Sequence, residues 1–282
     1  MRTRTVIGVS IAAIFILIIT QVAAQGVAGL LSLVKVPYGI CNVVAGALYV
    51  GLAYFSLQMF LRKGMKLPGS DFGMPGFSIQ GKWAVTAIAL PLVVKGAYLL
   101  LFSGSYVPSG MTGAQICSTL SAGIAFTGIG AGFVEEMVFR GVILNIMKKR
   151  WNPKAAVIVP SALFGAVHIL GMDLSLRSCL LVLTAGTMVG IMFSLIAMES
   201  GSVWNSGIVH AVWNMVIIGG GLAVGDHADA YSVMTYVLDS RSFAVTGGEF
   251  GIESSVISLA GYMIVSFIAL FMIRSERQKQ CQ

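Results

Sequence analysis

The sequence predicts an all-α, polytopic membrane protein of about eight transmembrane helices, and three observations carry that reading. First, 57% of the 282 residues are hydrophobic and only 10% are charged, against about 25% charged in an average soluble domain. Second, apolar runs of about 20 residues, long enough to cross a hydrocarbon core, recur so densely that no stretch remains for a separate soluble core. Third, Lys and Arg residues cluster in alternate connections, as they do in cytoplasmic loops. A single membrane domain over 1–282 is expected. The formal charge of +7 does not point to nucleic acid, because the basic residues lie in short clusters between apolar runs.

Taken in order, the spans fall at roughly 5–25, 38–61, 83–104, 115–147, 155–172, 178–198, 203–224 and 254–273. The first follows Met1-Arg2-Thr3-Arg4 and ends near Val22-Ala23-Ala24, a pattern that cleaved leaders share. The run from Val6 to Ala24 is nevertheless long enough to span, and it reads as a retained helix. With both termini cytoplasmic, the inner segments hold 13 basic residues and the outer segments three, Lys35, Arg177 and Arg241. That imbalance favours eight spans and a multi-pass location in the cell membrane. The longest connections are 63–82, rich in Gly and Pro, and 225–253, which carries five of the 11 acidic residues. Neither has a pattern that marks a domain. Cys41, Cys117, Cys179 and Cys281 are far apart and lack a paired-ligand spacing. Cys281 is penultimate, so the chain does not end in a prenylation box.

In so apolar a chain the informative residues are the ionisable ones inside spans, each costing about 2.5–3.5 kcal/mol at mid-bilayer. Three clusters qualify: Glu135-Glu136 with Arg140 in the fourth span, Phe164 with His168 in the fifth, and His210 with Asn214 in the seventh. Glu136 and Arg140 are four apart and can pair on one helix face, while Glu135 lies about 100° around and escapes that pairing. His210 and Asn214 are also four apart, which puts two hydrogen-bond donors on one face. At about 1.5 Å per residue from the cytoplasmic ends, Glu135, His168 and His210 lie roughly 20, 21 and 17 Å deep. Three helices thus present polar groups in one layer, which predicts a polar catalytic cavity between helices. A carboxylate and a histidine around one water make a general base, and a second histidine with an asparagine can hold an oxyanion. These are the parts of a hydrolase with no protein nucleophile and no cofactor.

The pattern Glu-Glu-x-x-x-Arg, then Phe-x-x-x-His, then His-x-x-x-Asn on successive membrane helices resembles the CAAX-protease and bacteriocin-processing (Abi) family of intramembrane glutamic endopeptidases. The resemblance covers roughly 115–220 and includes Gly201-Ser202-Val203-Trp204. It implies that Glu135 and His168 activate water, that His210 and Asn214 hold the oxyanion, and that Glu136 and Arg140 support the site. It also implies a membrane-associated peptide or protein substrate, lipidated or not, near the C-terminus in the prenylated case. Other readings start from the same residues. Glu135, His168 and His210 could bind a catalytic zinc, although no HExxH occurs. A non-catalytic immunity or scaffold protein would keep the fold without turnover. An ion-coupled transporter would be expected to show repeated halves, which the sequence lacks. Lys95, alone in the third span, is expected to snorkel to the outer surface.

Overall fold

The computed structural model describes residues 2–280; Met1, Cys281 and Gln282, and with them the reading of Cys281, lie outside the described residues. Each expected span corresponds to one long helix. These are α1 (Thr3–Leu33), α2 (Tyr38–Met59), α3 (Gly81–Leu101), α4 (Gly113–Lys148), α5 (Pro153–Val167), α6 (Leu176–Ser200), α7 (Val203–Ile217) and α8 (Val256–Gln280). Six of them, all but α5 and α7, are long and apolar enough to cross a membrane. Their outward faces are apolar, as with Ile11, Phe15 and Ile19 on α1 or Ile264, Phe267 and Phe271 on α8. The protein is a polytopic helical membrane protein.

α5 and α7 have 15 residues each, about 22 Å of helix against about 30 Å of hydrocarbon. The spans expected at 155–172 and 203–224 therefore stop early, at Val167 and Ile217. α5 starts where Asn152 Oδ1 accepts from Ala155 N at 2.9 Å, followed by Pro153 at its first turn. The link from α6 to α7 is a tight reversal: Gly201 takes φ +68°, which a side chain would resist, and Ser202 Oγ accepts from Trp204 N at 3.2 Å. That local chemistry accounts for the Gly-Ser-Val-Trp run noted in the sequence.

α4 is not a uniform α-helix. It opens with a capping box between Thr112 and Gln115, then widens to π geometry over Ala122–Ala131 and again over Met137–Ile143. Between the two wide stretches lies one short α-segment, Gly132–Glu136. Such widenings often occur at functional sites.

The two ends of the bundle differ. At the basic end the connection 65–80 is stitched to the start of α7: Val203 N donates to Gly73 O at 2.8 Å and Trp204 Nε1 to Pro75 O at 2.8 Å. There Lys82 pairs with Glu199, which also accepts from Trp83 Nε1 at 2.9 Å. At the opposite end the all-helical expectation is modified by a small sheet of β1 (Gly104–Pro108), β2 (Leu222–Gly225) and β3 (Met234–Leu238). Its order is β1-β3-β2, with β1 antiparallel and β2 parallel to β3. The sheet joins the α3–α4 and α7–α8 connections. Lys95 does not snorkel: it is buried, and its Nζ donates to the carbonyls of Val216 and Leu222, the latter at 2.6 Å. The terminal carbonyls of a helix lack internal partners and attract a cation, so Lys95 ties α3 to the end of α7.

Candidate active site

Close packing of α4 on α7 brings the polar clusters together. A Cβ on Gly132 would lie 2.7 Å from the backbone of Ala211, so only glycine lets the two helices approach this closely. One turn along α4 from that contact stand Glu135 and Glu136; on α7 His210 directly precedes Ala211 and Asn214 follows one turn on.

Glu136 and Arg140 form the expected pair. Arg140 Nη1 donates to Glu136 Oε1 at 2.8 Å, with the two side chains 0% and 1% exposed. Arg140 Nη2 donates to Gly190 O of α6 at 3.0 Å, and its guanidinium lies 4.5 Å from the centroid of the Phe164 ring. A buried charge needs such partners, and those of Glu136 gather on one oxygen, since its Oε2 is buried with no hydrogen-bond partner among the described residues. Glu136 does more than the sequence indicated, since its Oε1 is also 3.2 Å from His210 Nδ1. The His210 ring stacks on Phe193 at 4.6 Å between centroids, and its Nε2 lies 3.8 Å from Glu135 Oε2. His210 therefore sits between the two adjacent glutamates.

Glu135 turns away from Arg140, as the helical spacing predicts, and its side chain is 22% exposed. It faces a cavity of about 220 Å³ that His168, His210, Asn214 and Phe164 also line. His168 is not inside a span but caps the C-terminus of α5. Its Nδ1 lies 2.7 Å from Phe164 O. A carbonyl only accepts, so Nδ1 carries a proton, and in the neutral form of the ring Nε2 then keeps its lone pair. Asn214 Nδ2 donates to Thr127 O of α4 at 3.0 Å, which commits one of its N–H groups within the protein. Among the described residues no group of three or more His, Cys, Asp or Glu side chains is arranged to hold a metal ion.

The sequence reading did not single out three further residues of the cavity wall, Phe250, Glu253 and Tyr262. Glu253 belongs to the α7–α8 connection and is brought back over the cavity by the turn Ile252–Ser254. Tyr262 Oη donates to Glu253 O at 3.0 Å. Burial pushes the Glu253 carboxyl up to about 7, with His168 opposing and the Glu135 charge adding to the shift. The signal available in the sequence was one carboxylate three residues ahead of an apolar run.

Residues 117–216 match the family described as type II CAAX prenyl endopeptidase Rce1-like. No curated protein and no solved structure gives a significant match. The matched segment contains Glu135, Glu136, Arg140, His168, His210 and Asn214, whereas Glu253 lies outside it. Through this segment, carried on a polytopic helical frame, the chain is similar to the CAAX-protease family of membrane endopeptidases.

Proposed function

We propose that the protein is an intramembrane glutamic endopeptidase that hydrolyses a peptide bond of a membrane-associated peptide or protein. The observation that carries this reading is the convergence of Glu135, His168, His210 and Asn214, from three helices, on one cavity. A water between the Glu135 carboxylate and the free Nε2 of His168 loses a proton to Glu135 as its oxygen attacks the carbonyl carbon. The developing oxyanion takes hydrogen bonds from the remaining Asn214 N–H and from His210 Nε2. A doubly protonated His210 would donate from Nδ1 to Glu136 and present Nε2–H to the cavity. Two carboxylates would then balance two cations, His210 and Arg140. Glu136 and Arg140 act through His210 as positioning residues. The core that performs this chemistry is 115–220 within a single domain, with the basic end cytoplasmic, no cofactor, and the bilayer as its setting. The substrate is a CAAX-type prenylated C-terminus or another membrane-associated peptide.

The test is cleavage by detergent-purified protein of a panel of lipidated and unlipidated peptides. Glu135→Ala and His168→Ala are each expected to lower turnover by about 10²–10⁴-fold, the range for loss of a general base. Cleavage by the native chain is expected to survive a strong chelator. Loss on chelation with recovery on adding zinc would replace this reading with a metalloprotease; no cleavage of any peptide would count against an enzyme.

A further inference from the structure

Resting on the endopeptidase reading, we propose that Glu253 is a further catalytic residue, the acid that protonates the amine leaving group. Hydrolysis of an amide needs a proton on nitrogen when the C–N bond breaks, because an amide anion is too poor a leaving group. The other carboxylates of the site are already committed. Glu136 is held by Arg140 and His210, and Glu135 receives the proton of the attacking water in the proposed mechanism. Among the described residues no ion pair joins Glu253 to a cation.

Position supports the role. Glu253 lines the cavity from the α7–α8 connection, whereas Glu135 stands on α4. It also lines a second cleft of about 320 Å³ at the sheet end of the bundle, which shares Ile218, Phe250 and Glu253 with the first. A peptide threaded from that cleft toward Glu135 therefore passes Glu253 first. The ionisable groups around Glu253 are Glu135 of α4, His168 at the end of α5, His210 of α7 and Tyr262 of α8, with Asp226, His227, Asp229 and Glu249 along the second cleft. α6 contributes only uncharged side chains to the cavity wall. In this surrounding, burial keeps the carboxyl protonated up to about pH 7.

The proton balance closes. Water gives a proton to Glu135 and its oxygen bonds to carbon while the carbonyl π pair moves to oxygen. Collapse restores the C=O, the C–N pair goes to nitrogen, and nitrogen takes the Glu253 proton. Transfer of a proton from Glu135 to Glu253 through water in the cavity resets both groups.

The experiment compares a cleaved peptide with its ester analogue at the scissile bond, since an alcohol leaving group depends far less on an acid. Glu253→Gln is expected to lower amide cleavage about 10²-fold and to leave ester cleavage nearly intact, which also shows that the variant is folded. The amide rate of the native chain is expected to fall as pH rises through about 7, where the acid form is lost, and Glu253→Gln is expected to lack that fall. Equal losses on amide and ester, or no loss on either, would overturn the role of Glu253 while leaving the endopeptidase reading standing. Failure of the native chain to cleave either substrate would remove both.

Discussion

The two sides of α4 around Glu135 and Glu136 are made of the same residue type and do opposite things. On one side Glu136 is fully buried and bound to Arg140 and His210, with Arg140 reaching on to Gly190. On the other, Glu135 is 22% exposed and, among the described residues, its one ion-pair neighbour is His210, at 3.8 Å. A rotation of about 100° along the helix separates them. A carboxylate whose charge is matched inside the protein contributes to folding, and one that faces an open cavity remains available to substrate and water.

That contrast orders the expected costs of substitution, read as thermal or denaturant stability in detergent. Arg140→Leu leaves Glu136 as a buried charge without its cation and should cost the most, about 3–5 kcal/mol. Glu136→Gln keeps an oxygen that can accept from Arg140 and His210 but loses the charge, and should cost about 1.5–3 kcal/mol. Glu135→Gln should shift stability by no more than about 0.5 kcal/mol, although it removes the proposed base. A loss of stability in Glu135→Gln comparable with that of Glu136→Gln would erase the distinction between the two sides.

Much of the frame was legible because each of its signals is local. Apolar runs located the eight long helices among the described residues, and the rarity of ionisable residues in those runs singled out side chains that converge on one cavity. The remaining features depend on contacts between distant segments. Lys95 finds its acceptors only because α3 passes the end of α7, 121 residues away in the case of Val216. The strands of the sheet have four or five residues each, too short for an alternating pattern to stand out, and β1 lies in a different connection from its partner β3. Glu253 joins the cavity through a turn that folds back from a long connection. The early ends of α5 and α7 were hidden because apolar residues such as Ile169 and Leu170 continue past the last helical turn.

The wide stretches of α4 also give this helix slack in its length. A π-turn accommodates one residue more than an α-turn while the flanking helix keeps its facing. Loss of a single residue within Ala122–Ala131 can be absorbed by rewinding that stretch to α geometry. The same loss within Gly132–Glu136 has no such reserve, and would turn one half of the helix against the other by about 100°. The short segment between the wide stretches is thus where the phase of α4 is fixed, and Glu135, the proposed base, is mounted on it.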